Sequence, residues 1–307
     1  MLRRILKGAA ERMLTAEPVT RLARRRRASS TLILAYHNIV PDGEPVAGDM
    51  SLHLPQRHFA RQLDVLLETH EIVRLTDILE PPPADARRPR AVITFDDATQ
   101  GAMTAGVLEL ESRNMPATVF IAPAFVGGRP FWWDAITGRA GAVMGDELRQ
   151  YALTNLAGSD AKIRKWAEDE GVPLRQPPTH QLCATEEQLH QAAGEEITFG
   201  SHTWSHPNLT AVSGAELADE LAHPLQWLTE RFDNVVRWLA YPYGFCNADV
   251  AAAALEAGYD GALRVDGGWI SGGLTSGAAQ LHMLPRYNIP AGLSVRGFQL
   301  RTSGLAR

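Results

Sequence analysis

The feature that most constrains this chain is a recurring alternation of short apolar runs with amphipathic stretches of helical period. Residues 31–36 (TLILAY), 91–95 (AVITF), 117–121 (ATVFI), 197–200, 238–241, 259–264 and 282–286 each read as a strand. Nearly continuous apolar runs of this length suit strands covered on both faces, the condition of a parallel sheet between helices. Between them, residues 59–70 place Phe59, Leu63, Leu66 and Leu67 on one helical face. A long helix is expected over 214–232, with Ser213 as its cap and Glu216 as capping-box partner. Asn247 is expected to cap an alanine-rich helix that stops at Gly258. About seven such strands favour a (β/α) barrel over an open doubly wound sheet. Residues 128–194 break the rhythm, with Trp132, Trp133 and helical stretches but no clear strand. They are expected to form a helical insertion on the barrel face.

At 307 residues the chain is long enough for one large core, and α/β barrels of this length are single domains. The division expected is a basic arm over 1–30 and one domain over 31–307 that carries the insertion. Cys183 and Cys246 stand far apart and in no C-x-x-C pair, so neither a disulfide framework nor a thiolate zinc site is indicated. The net charge of −5 hides an asymmetry: residues 1–30 hold nine Lys or Arg against two acids, leaving −12 on the rest. A basic arm on an acidic body suits an anionic surface. Nucleic acid is not the expected partner, because no aromatics interleave the arginines and the body repels phosphate. Residues 2–14 can form a short amphipathic helix, with Leu2, Ile5, Leu6, Ala9, Ala10, Met13 and Leu14 to one side, which fits interfacial membrane contact. A loose tail, or a helix docked on the body, are the competing readings. No apolar run reaches the ~7–15 residues of a signal-peptide core or the ~20 of a transmembrane helix. The expected location is therefore the cytoplasm, with peripheral contact at the inner face of a membrane.

Three places carry chemistry, and each follows an apolar run, where parallel α/β barrels keep their catalytic groups. In Thr94-Phe95-Asp96-Asp97-Ala98 two adjacent acids leave a buried strand. Like charges so close are costly unless a cation offsets them, and one carboxylate could then hold a metal while its neighbour serves as a base. The competing reading is a helix N-terminus, where acids are favoured without a metal. In Ser201-His202-Thr203-Trp204-Ser205-His206-Pro207 two histidines four apart would project together from a helical turn, a common zinc-ligand spacing. Asp plus two His leaves coordination positions open for water and substrate. In Ala240-Tyr241-Pro242-Tyr243-Gly244, Pro242 fixes the chain and Gly244 permits close backbone approach, so a backbone N–H can face a developing oxyanion; an ordinary turn would read the same.

Together these segments resemble the polysaccharide deacetylase family (NodB-homology, carbohydrate esterases). TFDDA is close to its TFDDG, SHTWSHP matches its H-[ST]-x-x-H element and AYPYG resembles its third motif, in the same order over roughly residues 31–290. The resemblance implies a distorted (β/α) barrel in which Asp97, His202 and His206 hold one divalent metal and Asp96 is the general base. It also implies that the Tyr243 backbone N–H helps form the oxyanion hole. Zinc is the metal expected first, with Co2+, Ni2+ or Fe2+ as alternatives. The chain departs from the pattern at Ala98, where the family has Gly, and at Ala240, which occupies the arginine position of R-x-P-Y. Arg286, with Arg264 as second choice, is the candidate to replace that arginine. The general acid is either His282 or, as in the branch whose last motif is shifted to an N-terminal Tyr-His, His37 in Ala35-Tyr36-His37. Trp132, Trp133 and Trp269 are candidates to stack on sugar rings, each with a core role as the alternative; Pro242 is placed at the substrate beside Tyr243.

The function so implied is hydrolytic removal of an acetyl or related acyl group from an N-acetylated sugar or a polysaccharide precursor. Metal-bound water would be the nucleophile and Asp96 its base. In the cytoplasm such precursors are lipid-linked or nucleotide-linked. Two other readings stay open: a deacylase of another C–N bond, such as a formamido sugar, and a carbohydrate-binding pseudoenzyme lacking the R-x-P-Y arginine.

Overall fold

The computed structural model describes residues 15–136, 145–271, 274 and 278–306. The helix expected over 2–14 lies outside them. Six strands, β1 (Ser30–Tyr36), β2 (Arg90–Phe95), β3 (Ala117–Ile121), β4 (Ile197–Ser201), β5 (Val235–Ala240) and β6 (Gly261–Arg264), lie side by side in chain order. Each is parallel to the next, with Tyr36 beside Phe95, Thr94 beside Thr118, Ile121 beside Ser201 and Ala240 beside Leu263. A seventh, β7, is interrupted: Leu284–Pro285 pairs with β6, Tyr287–Asn288 pairs with β1, and Arg286 sits at the break. The chain across that break brings the end of the series against its beginning, so the sheet nearly closes into a barrel. Glu71–Ile72 adds to the start of β2, and Trp269–Ser271 lies antiparallel to the start of β1.

The barrel interior follows from strand alternation. Ile33, Val92, Phe120, Trp238, Leu263 and Leu284, from six strands, form one buried cluster. The intervening Leu32, Leu34, Ile93, Val119 and Ile121 face the helices in a second cluster. β4 contributes Gly200, where a Cβ would sit 2.7 Å from the Phe120 ring, so glycine is required for that ring to fill the barrel. The next inward positions beyond Ala35, Thr94 and Gly200 are His37, Asp96 and His202. The alternation that packs the interior therefore places three functional side chains at one rim, the C-terminal mouth of the barrel.

Several local expectations need correction. The run over 282–286 is not one strand: pairing begins only at Leu284, after the helical turn Ala278–Leu281, and changes partner from β6 to β1 around Arg286, whose N–H still donates to the Arg264 carbonyl (2.9 Å) and whose side chain enters the barrel. On helix Gln56–Thr69 the buried face holds Gln62 rather than Leu67, which is 41% exposed. The reason is polar: Gln62 accepts a 3.0 Å bond from the buried Tyr36 hydroxyl. Ser213 makes no capping bond to helix Gly214–Arg231, because Gly214 at φ 58° swings the chain away before the first turn. Asn247 does cap helix Ala248–Glu256, accepting from the Val250 N–H at 2.9 Å. Within residues 128–194 the described elements are helices, Trp132–Ala135, Asp146–Thr154, Asp160–Asp169 and Glu186–Ala192 the α-helical ones. They cover the mouth of the barrel on one side.

Candidate active site

Asp96 leaves β2 with its N–H donating to the Tyr36 carbonyl (2.9 Å), which locks the β1 and β2 ends together. Arg286 grips it through two bonds, Nη1 to Oδ1 at 2.7 Å and Nη2 to Oδ2 at 2.8 Å. Nη1 also donates to Thr94 Oγ1 at 3.0 Å, and the guanidinium lies 5.4 Å over the Phe120 ring. Both partners are buried. Burial alone would raise the Asp96 carboxyl, but the Arg286 charge and its hydrogen bonds win and hold it well below the ordinary carboxylate range. Asp96 is thus a buried carboxylate that stays ionised, and the guanidinium missing at Ala240 is supplied from β7.

Asp97, His202 and His206 stand beside this pair, all buried, with one potential ligand atom from each lying within 4.8 Å of the others. Asp97 Oδ1 is 3.6 Å from each Nε2, too far for a hydrogen bond, and it has no hydrogen-bond partner. The two Nε2 atoms are 3.1 Å apart. His202 Nδ1 donates to the Ala240 carbonyl at 2.7 Å, which directs its Nε2 lone pair at the shared point. Burial pushes Asp97 well above the ordinary carboxylate range, reinforced by the charges of Asp96 and Asp134. It pushes both imidazoles down, most of all His206. Neutral imidazoles, and an orphaned carboxylate needing a positive neighbour to ionise, are the donor set that fits a divalent cation.

The histidines do not share a helical turn, as their spacing had suggested. Residues 202–206 form a loop in which Thr203 (φ 65°) and His206 (φ 58°) occupy the left-handed region. Its fastening is Glu220, a buried acid of helix Gly214–Arg231. Glu220 accepts from the N–H groups of Trp204 (2.9 Å) and Ser205 (2.8 Å) and from the Ser205 hydroxyl. Asp97 and Ala98 also have positive φ, 70° and 45°. That explains why glycine suits the position of Ala98.

The pocket over these groups has a volume of about 100 Å³ and is lined in addition by His37, Trp132, Trp133, Tyr243, Arg149 and Asn288, among others. Burial, partly offset by the Asp96 charge, lowers His37 to about 4, so its imidazole is neutral at rest. Tyr243 sits at φ 59° on the turn Pro242–Gly244, and its ring packs edge-on against His206 at 4.7 Å. Its hydroxyl accepts from Trp132 Nε1 (3.0 Å) and donates to the Gly158 carbonyl (3.0 Å), tying the turn to the insertion. Trp133 stacks on Phe131 and lies 5.0 Å from His206.

Four further candidates lie outside this pocket. Trp269 lines a second cleft under Arg27, because the antiparallel piece it belongs to runs beside the opposite end of β1. Pro242 is buried and does not line the pocket; its part is to start the turn that carries Tyr243. His282 is buried with Nε2 donating to the Tyr259 carbonyl at 2.9 Å, away from the pocket, and Arg264 is paired with Asp266 at 2.7 Å. Sequence reasoning missed Glu220, Arg149 and Asn288. An acid on the apolar face of a helix was a readable signal for the first. Asn288 ends the last, two-part strand and Arg149 comes from the insertion, so neither had one. It also missed a buried polar cluster: His53 Nε2 meets Asp134 at 3.0 Å, while Asn38 Nδ2 reaches the Nδ1 atoms of His53 and His180 at 3.1 Å each. The cluster pins the chain after β1 to the insertion.

A nearly closed parallel barrel thus carries, at its C-terminal mouth, an Asp/His/His cluster that could hold a metal ion and a buried acid clamped by an arginine. The polysaccharide deacetylase family model matches residues 84–262, more than half of the chain, and the chain belongs to that family. No curated protein matches it. Among solved structures, the deacetylase PplD of Streptococcus pyogenes, determined in complex with acetate, is 17% identical with a TM-score of 0.59, covering 89% of this chain and 98% of its own. IcaB from Ammonifex degensii is 16% identical with a TM-score of 0.59, covering 90% and 97%. A de-N-acetylase from Aggregatibacter actinomycetemcomitans is 14% identical with a TM-score of 0.56, covering 88% and 98%. At these identities the likeness is one of fold.

Proposed function

We propose that this protein is a metal-dependent carbohydrate deacylase that removes an acetyl or related acyl group from an N-acylated sugar or polysaccharide precursor. The observation that carries the reading is the meeting, in one pocket, of an Arg286-clamped Asp96 carboxylate with three buried ligands that share an unfilled electrostatic need. Asp97, His202 and His206 would hold the metal, zinc first, which when bound polarises the acyl carbonyl and acidifies water. Asp96 takes the proton of the attacking water. Because His37 rests neutral, the proton that reaches the leaving nitrogen is the one Asp96 has taken, handed on through His37. The Tyr243 N–H, carried on a left-handed turn, faces the developing oxyanion. Trp133 forms an apolar wall for the acyl group.

The test is acetate release from a panel of N-acetylated sugars and oligosaccharides, with metal content measured on the same samples. Turnover is expected with about one metal per chain. His206→Ala is expected to lower metal affinity by about 10–100-fold or more and to abolish turnover at limiting metal. One bound metal per chain with no acyl group released from any N-acylated sugar would instead mark a carbohydrate-binding protein.

The basic segment completes the proposal: it holds the enzyme at the cytoplasmic face of an anionic membrane where precursors are assembled. Helix Glu17–Arg25 supports this, leaving Val19 (37%) and Leu22 (54%) exposed among its arginines. Sedimentation with phosphatidylglycerol vesicles is expected to carry the full chain down at low salt and release it at high salt. A chain that stays in the supernatant at low salt removes this part.

A further inference from the structure

We infer that the cleft beside the catalytic pocket binds an oxyanion, a phosphate or a carboxylate, carried by the same substrate as the acyl group. This rests on the deacylase reading and extends it to the substrate class. The catalytic pocket, at about 100 Å³, has room for an acyl group and the edge of a sugar but not for the remainder of a glycan. A second cleft of about 790 Å³ adjoins it, and Val265 and Asn288 line both. A substrate whose acyl end sits in the first and whose remainder lies in the second would pass over those two residues.

The walls of the second cleft define what it would take. Arg27 lies 4.6 Å over the Trp269 ring and Arg301 lies 5.1 Å over the Tyr287 ring. Stacking occupies the face of a guanidinium and leaves its edge N–H donors free for an oxyanion. Neither arginine has an ion-pair partner among the described residues, and the acid in the lining, Asp266, is engaged by Arg264 at 2.7 Å. Asn288, which lines both cavities, has a buried Oδ1 with no hydrogen-bond partner, an acceptor left unsatisfied where the two meet. The cleft thus sets one arginine of the basic N-terminal segment and one of the acidic body in a single concave wall, neither ion-paired among the described residues.

The experiment compares KM for acetate release from neutral chitotriose with that from N-acetylglucosamine 1-phosphate, uridine diphosphate N-acetylglucosamine and an N-acetylglucosamine–glucuronate disaccharide. At least one anionic substrate is expected to show a KM about tenfold lower than the neutral one, and which it is distinguishes phosphate from carboxylate. In Arg27→Gln/Arg301→Gln that ratio is expected to fall to near one, and Arg27→Lys/Arg301→Lys to restore part of it. Calorimetry with inorganic pyrophosphate provides a readout independent of turnover. Any binding at the metal centre is common to wild type and the double Gln variant, so a difference of about tenfold between them reports the cleft. Equal KM for neutral and anionic substrates in wild type, or a preference that survives in the Gln variant, overturns the inference. A pyrophosphate difference with no acetate released from any substrate leaves the cleft in place and removes the deacylase reading.

Discussion

Asp96→Asn is expected to lower kcat by about 10²–10⁴-fold while the protein still binds its metal. The substitution keeps the shape of the side chain and removes its capacity to take a proton. It touches none of the three residues assigned to the metal, so metal content should stay near one per chain. The same change leaves the fully buried Arg286 guanidinium without its counter-charge. Stripping one member of a buried pair costs about 3–5 kcal/mol, so the variant should also unfold at a lower urea concentration. Asp96→Asn/Arg286→Met separates the two effects: removing both charges should recover much of the stability and none of the turnover. Acetate release, metal content and urea midpoints on the three proteins decide the matter. An Asp96→Asn enzyme with more than about a tenth of wild-type kcat would show that another group is the base.

The second large effect concerns Arg286→Met alone. In the wild type the Asp96 carboxyl is held well below its ordinary value near 4, so the pair contributes stability that is fully present above that value. That contribution is lost as the pH falls toward the depressed value. Without Arg286, burial is unopposed by its main partner and raises the carboxyl instead. The sign then inverts: the protonated form is favoured in the folded state, and stability falls as the pH rises through the ordinary carboxylate range. The variant should be about 3–5 kcal/mol less stable than wild type at pH 7. The difference should shrink on going to pH 4, and the acid limb of its residual pH–rate profile should move upward. Urea midpoints across pH 4–7 provide the check. A wild-type-minus-variant difference that stays constant across this range would mean that Arg286 acts by packing rather than by charge.

Much of the site is legible in the sequence because its residues sit at strand ends, and strand ends are local features. Asp96 and Asp97 follow an apolar run, as do His202 and His37; alternation along β1, β2 and β4 is enough to bring His37, Asp96 and His202 to one rim, while Asp97 sits on a left-handed residue (φ 70°) that alternation does not predict. The paired histidines were readable as ligands, yet their backbone was not: the spacing suggested a helical turn, and the chain forms a Glu220-fastened loop. Trp269 was legible as an aromatic residue, but its place in the second cleft rather than in the pocket was not. Its position depends on an antiparallel pairing with β1 that leaves no periodic trace in three residues.

The sequence by itself determined the alternation of strands and helices, the chemical types at the mouth of the barrel and their order along the chain. These rest on period, polarity and adjacency, which act over a few residues. Only the tertiary structure decided between the two candidate arginines, setting Arg286, 190 residues from Asp96, as its partner and Arg264 on Asp266. That pairing follows from the near-closure of the barrel: Arg286 lies two residues after the inward-facing Leu284, where the last strand passes from β6 to β1 beside Asp96. Only the tertiary structure, too, set a second cleft with two aromatic-backed arginines beside the first, drawing Arg27 from the N-terminal segment and Arg301 from the last helix. Contacts of such long range carry no local pattern, because what selects them is the closing of the sheet and the charge each group finds there.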